Sequence, residues 1–323
     1  MSEADVLDAV RSGDRRALAR AITLVESSRD DHRQEAAELL VAAMPSTGGA
    51  VRVGITGPPG VGKSTFIEAL GLHLVDAGHR VAVLAVDPSS SRTGGSILGD
   101  KTRMPELGRR EQAFIRPSPS GTSAGGAARR TREALLVCEA AGFDVVLVET
   151  VGSGQSDVAV ADMVDEFVVL VPPAGGDELQ GVKRGVLELA DVVVITKSDG
   201  ELAGPAQQTA ADYSHALALL QGGDHALVQR CSAVDGTGIA EVWDAVMAVH
   251  RRREESGELT RRRRRQAVAW LWAEVRATLT EQLETDDDVR RVVPRLEEQV
   301  ANGELSPLTA AAQVLEVFGT RPP

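Results

Sequence analysis

A chain of 323 residues, 43% hydrophobic and 25% charged, has the make-up of ordinary globular protein, with room for one large α/β domain plus appendages or for two small domains. Its net charge of −12 argues against a general nucleic-acid binder, which would carry a basic face. Cys138 and Cys231 stand far apart with no C-x-x-C or Cys/His cluster. A structural zinc site is therefore not expected, and both read as buried small hydrophobes in a reducing compartment. The acidic start, with Glu3 and Asp5, lacks the apolar stretch of a signal peptide, and no apolar run reaches membrane-spanning length. The expectation is a cytoplasmic protein with neither a membrane nor a nucleic acid as partner.

Residues 1–47 read as two or three amphipathic helices. Leu18, Ala21, Ile22 and Val25 share one face; Ala36, Leu39, Leu40 and Ala43 share another. Pro45 to Gly49 breaks the pattern and reads as a linker. Val51, Val53 and Ile55 then alternate as in a strand, and Phe66, Ile67, Leu70 and Leu74 follow at helical spacing. Between them lies Gly57-Pro58-Pro59-Gly60-Val61-Gly62-Lys63-Ser64-Thr65, which fits the phosphate-binding pattern G-x-x-x-x-G-K-[ST]. Its glycines let backbone N–H groups turn inward around a phosphate chain, and the helix N-terminus favours negative charge. Lys63 is placed to reach the terminal phosphates and Ser64 to bind Mg²⁺.

Residues 80–86 read as a buried parallel strand ending at Asp87, where an acid faces the ligand crevice. The polar, glycine-rich loop 91–104 is too long for a mere connection and reads as functional. A short strand is expected over 113–116, and a helix over 127–141 with Leu135 and Leu136 inward. An apolar strand over 144–149 ends in Glu149, the form of a Walker B carboxylate that holds Mg²⁺ directly or through water. Gly152 and Gly154 follow it, where a backbone could approach a γ-phosphate. A strand over 167–171, a helix over 179–189 and a strand over 192–196 come next. At the tip of the last, Thr196-Lys197-Ser198-Asp199 stands where GTP-hydrolysing proteins carry N-K-x-D. There the aspartate accepts the N1 and N2 hydrogens of guanine, so guanine is read over adenine. A helix over 206–220, with His215 structural, precedes a strand over 227–230. Ser232, Ala233 and Val234 then resemble the last guanine-contacting loop.

From about residue 257 the character changes. Arg261 to Arg265 are five consecutive arginines, read as a solvated helix start or a hinge between elements rather than a site for an acidic partner. Val268, Leu271, Trp272, Val275 and Leu279 form an apolar stripe. Trp270 and Trp272 could fill a dimer interface or pack on the domain. Ser306 and Pro307 read as the N-cap and first residue of a last helix.

Together the motifs at 57–65, 86–90, 92–104, 149–155 and 176–181 resemble the methylmalonyl-CoA mutase-associated GTPases (MeaB, also called ArgK or LAO/AO transport ATPase) of the signal-recognition-particle-like class, over roughly residues 20–320. Thr196 departs from the family's usual asparagine. The resemblance implies a doubly wound, mostly parallel P-loop α/β domain at 48–256. It also implies an N-terminal helical extension at 1–47 and a C-terminal helical dimerisation arm at 257–323.

The resemblance further implies a homodimeric GTPase chaperone for adenosylcobalamin-dependent methylmalonyl-CoA mutase, or for a related B12-dependent acyl-CoA mutase. GTP, GDP and Mg²⁺ are its ligands. Asp87 and Asp100 join Ser64 and Glu149 around the metal, Asp177 and Lys183 lie in a third nucleotide-sensing loop, and Gln155 is the candidate for positioning water. Three rival readings are weighed against this, one of them a non-catalytic assembly module that merely binds nucleotide, which the intact Lys63, Ser64 and Glu149 oppose. A nickel or cobalt metallochaperone would need clustered Cys/His ligands. An ATP-dependent kinase or transport ATPase is opposed by Asp199.

Overall fold

Runs of β-branched and aliphatic residues build β1 (Val51–Thr56), β2 (Val81–Val86), β3 (Ala113–Ser118), β4 (Val145–Thr150), β5 (Glu166–Val171), β6 (Val192–Ile195) and β7 (Leu227–Arg230). In the computed structural model they pair in parallel as one seven-stranded sheet of order β3-β2-β4-β1-β5-β6-β7. The structure describes residues 3–27, 29–86, 104–118, 124–150, 152, 155–173, 184–221 and 226–319. The described helices are α1 (Glu3–Arg11), α2 (Arg15–Val25), α3 (Asp30–Ala43), α4 (Lys63–Asp76), α5 (Pro105–Gly108), α6 (Ala124–Ala140), α7 (Gln155–Ala161), α8 (Arg184–Leu187), α9 (Ala203–Gln221), α10 (Ile239–Glu255), α11 (Glu258–Thr285), α12 (Asp287–Ala301) and α13 (Pro307–Gly319). This is the doubly wound, parallel α/β architecture expected for a P-loop protein.

Strand alternation sends successive side chains to opposite faces and so divides the layers. Val53, Ile55, Val145 and Leu147 form one core with Phe66, Ile67, Leu70 and Leu74 of α4 and Val242, Val246 and Val249 of α10. The opposite face of β1 carries Arg52, Gly54 and Thr56. Arg52 is buried in an ion pair with Glu139 of α6 (2.7 Å). A Cβ at Gly54 would come within 2.9 Å of Val160 and 3.0 Å of Val164, so glycine is what lets α7 and the turn after it lie on the sheet.

Several local expectations change. Leu135 is fully buried but Leu136 is only half-buried, because the inward stripe of α6 runs through Ala134, Leu135 and Cys138. Of the helix expected over 179–189, residues 179–183 lie outside the described residues and α8 covers 184–187. Its end is closed by bonds from Leu189 N to Val186 O and from Ala190 N to Leu187 O. The stretch read as a linker is pinned: Gly48 N donates to Glu139 Oε2 (2.6 Å), and Arg263 donates to Gly48 O and Ala50 O (2.5 and 2.7 Å).

The arginine run is also not simply solvated. Arg264 and Arg265 are exposed, but Arg262 donates to Ala161 O and Val164 O, and Arg263 grips the fully buried Asp165 with two bonds (2.8 and 2.6 Å). Both cysteines are buried, and burial pushes the Cys231 thiol up to about 12 and Cys138 higher still. Neither is a nucleophile at neutral pH.

The chain divides into two compact units, 1–266 and 267–323, with the boundary inside α11. In the second unit Asp286 caps α12 by accepting from Asp288 N and Val289 N, and Ser306 Oγ caps α13 by accepting from Thr309 N. Val268, Leu271, Trp272 and Leu279 of α11 are 50–59% exposed.

Candidate functional site at the carboxyl ends of the strands

The carboxyl ends of β4, β1, β5 and β6 meet where the strand order reverses, the place where open α/β sheets hold ligands. Gly62, in the left-handed region (φ 99°), turns the chain from the glycine loop into α4. Lys63 opens that helix, and its ammonium donates to Gly57 O (2.7 Å) and Pro58 O (3.2 Å). Gly57 and Val61 are buried, Pro58, Gly62 and Ser64 are half-buried, and Pro59, Gly60 and Thr65 are exposed. The loop is thus anchored at its base and open at its rim.

Alternation along β4 aims Glu149 at the α4 face, where Ser64 Oγ donates to its Oε1 at 3.1 Å. A hydroxyl and a carboxylate in contact at the head of the phosphate-loop helix form the all-oxygen donor set that suits a hard cation such as Mg²⁺. Thr150 points the other way. Just beyond it, Gly152 adopts φ 78°, and a Cβ there would lie 2.3 Å from Gly57 O. Gly152, two residues beyond the end of β4, therefore rests on the first residue of the phosphate loop, and only glycine allows that approach.

The base-reading segments converge on the other side of the loop. Thr196, buried, donates from Oγ1 to Val61 O (2.9 Å), so a hydroxyl supplies a tether from this segment to the phosphate loop where the family pattern has an amide. Lys197, a non-glycine residue at φ 52°, donates from Nζ to Gly60 O (2.8 Å). Ser198 N donates to Cys231 O, joining this segment to the loop of Ser232, Ala233 and Val234. Ser232 is fully buried and Val234 is 84% exposed. Among the described residues, the buried Asp199 Oδ1 has no hydrogen-bond partner, a position a polar ligand would have to satisfy.

Of the residues singled out from sequence, the structure brings Lys63, Ser64 and Glu149 to one end of the crevice and Lys197, Asp199 and Ser232 to the other. Gln155 heads α7. Asp87, Asp100, Asp177 and Lys183 lie outside the described residues. Thr56, Thr150 and Asp157 were not singled out, yet they form a buried hydrogen-bonded group at the ends of β1 and β4. A polar residue closing each of two hydrophobic strands was the available signal.

Among the described residues, one His/carboxylate group has donor atoms within 4.8 Å of one another: Asp165, Glu166 and His250. It lies at the amino end of β5, away from the crevice. Arg263 holds Asp165, and His250 bonds Glu166 (3.1 Å), with Arg253 beside it. It is a buried ion-pair cluster, in which Arg253 also grips Asp191.

Comparison with known proteins places this geometry in context. The family model described as methylmalonyl Co-A mutase-associated GTPase MeaB matches residues 18–288. A probable GTPase of Mycobacterium tuberculosis (strain H37Rv) is 55% identical over 312 residues, covering 96% of this chain and 93% of that protein. The mitochondrial methylmalonic aciduria type A homolog of Mus musculus is 48% identical over 325 residues, covering 96% of this chain and 78% of that protein. A crystal structure of an LAO/AO transport system kinase superposes with a TM-score of 0.76 at 40% identity, covering 98% of each chain.

Proposed function

Because the chain belongs to the MeaB family of methylmalonyl Co-A mutase-associated GTPases, and so hydrolyses GTP, we propose that it works as a nucleotide-gated chaperone for an adenosylcobalamin-dependent acyl-CoA mutase, methylmalonyl-CoA mutase first. The observation that carries the nucleotide half of this reading is the phosphate loop with Ser64 bonded to Glu149 on one side and the unpartnered Asp199 Oδ1 on the other. The mutase half rests on the family and on the relative described by methylmalonic aciduria. In this reading the protein acts in the cytoplasm.

In this mechanism Lys63 leaves the carbonyls of Gly57 and Pro58 to neutralise charge developing on the γ-phosphate. Backbone N–H groups of Gly60, Gly62 and Lys63 cradle the phosphates. Ser64 and Glu149, with Asp87 and Asp100, would hold Mg²⁺, which when bound would screen phosphate charge. Gln155 orients the attacking water. Asp199 accepts from guanine N1 and N2, and Lys197 packs along the base.

The loops 92–104, 152–155 and 176–183, with Asp177 and Lys183, order around a γ-phosphate and relax after hydrolysis. The exposed stripe on α11 is covered by a second copy of the chain, giving a homodimer. Turnover by the protein alone is slow, and the client accelerates it. The test is a pull-down from the native host with and without a non-hydrolysable GTP analogue. Nucleotide-dependent recovery of a B12-dependent mutase is expected. Recovery of none would sink the chaperone reading while leaving the GTPase in place.

A further inference from the structure

Three polar side chains meet where an α/β core would ordinarily be apolar. Thr56, Thr150 and Asp157 are each 1–2% exposed. Thr56 Oγ1 and Thr150 Oγ1 both donate to Asp157 Oδ1, at 2.7 and 2.6 Å, and the two hydroxyl oxygens are 2.8 Å apart. The residues come from three elements. Ile55 pairs with Glu149, which sets the final residues of β1 and β4 side by side, and Asp157 sits in the first turn of α7.

Their neighbours in the chain are the parts that handle phosphate. Thr56 is followed by Gly57, the start of the phosphate loop. Thr150 is preceded by Glu149, which faces Ser64 across the strand. Gly152 N also donates to Thr150 Oγ1 (3.4 Å). Asp157 lies two residues beyond Gln155. Burying a carboxylate and two hydroxyls here costs desolvation that valine and leucine would avoid. What the polar group offers instead is direction: hydrogen bonds fix α7 against the two strand ends in one register.

We propose that Asp157 is a positioning residue for GTP hydrolysis, with Thr56 and Thr150 as its anchors. It fastens the start of α7 to the ends of β1 and β4, so that Gly152 stays on Gly57 beside the phosphate loop. The glycine loop and the base-reading segments do not rely on this fastening. Loss of an anchor therefore slows the chemical step and spares nucleotide binding. The inference rests on the assignment of Glu149 and the turn after it to the phosphate end.

Single-turnover GTP hydrolysis and GDP titration of the full chain test it. Thr150→Val, nearly isosteric but without the hydroxyl, is expected to lower the single-turnover rate about tenfold while the GDP Kd stays within about twofold. Thr150→Ser restores the rate to within about twofold. Thr56→Val gives a similar loss, and the double variant loses little more than either single one, because both break the same network. Should Thr150→Val fail to fold, as judged by a lost cooperative thermal unfolding transition, Thr56→Val carries the same test from β1; a folded variant that has lost GDP binding overturns the proposal. An unchanged rate in the valine variant, or a serine variant as slow as valine, overturns the proposal. Glu149→Gln is the control: if it too leaves the rate unchanged, the site assignment itself has failed.

Discussion

Replacing Asp199 by asparagine should change which base the protein binds. Asp199 Oδ1 is buried and has no hydrogen-bond partner among the described residues, so its solvation has been lost in advance of any ligand. A guanine edge would return two charge-assisted hydrogen bonds, from N1 and N2, each worth about 1.5–3 kcal/mol. Asparagine keeps one oxygen, without the charge, and turns an amide N–H₂ toward the guanine amino group. The loss is about 3–5 kcal/mol, or roughly a hundredfold to a few thousandfold in Kd at 1.4 kcal/mol per decade. Xanthine carries an oxygen at position 2, which that amide can serve. Competition titrations against a fluorescent GDP analogue should show Asp199→Asn weakened at least about a hundredfold for GDP and strengthened for xanthosine diphosphate. Retention of GDP within about threefold would refute the reasoning, as would a native protein that prefers ADP.

Other outcomes follow from the ion pairs and the exposed arm. Arg263→Met strands Asp165, which is fully buried, and frees the carbonyls of Gly48 and Ala50; a loss of about 3 kcal/mol is expected in urea unfolding of the first unit. His250 is held above its ordinary value by its hydrogen bond to Glu166, with the charge of Asp165 adding to it. Its contribution to stability is therefore full below about pH 6.5 and is lost as pH rises through the raised folded value. His250→Gln should lower the thermal midpoint more at pH 6 than at pH 9, and equal losses at both would refute the sign. Trp272→Glu, placed in the middle of the exposed stripe of α11, should convert the proposed dimer to a monomer by light scattering while leaving the GTP turnover per chain within about twofold.

Much of the candidate nucleotide site is legible in the chain alone because its parts are local. A phosphate loop works through consecutive backbone N–H groups, so Gly57 to Thr65 carries its own geometry once a strand leads in and a helix leads out. Glu149 and Asp199 declare themselves in the same way, as acids at or just beyond the ends of apolar strands. The sheet was legible for a similar reason: strands such as Val192–Ile195 are hydrophobic on both faces, which only a doubly covered parallel sheet requires.

What stayed hidden were meetings between residues far apart in sequence. Thr56 and Asp157 are separated by 101 positions and Arg263 and Asp165 by 98, and neither pair has a local pattern. An arginine run reads as solvated until a buried carboxylate is found opposite it. Thr196 departs from the family's usual asparagine, and only the fold brings Val61 O within reach of its hydroxyl. The sequence by itself determined the phosphate chemistry and the base, because periodicity and motif spacing act over a few residues. Only the tertiary structure decided how the turn after Glu149 is braced and where α11 is anchored, because those depend on which strand ends the fold brings side by side.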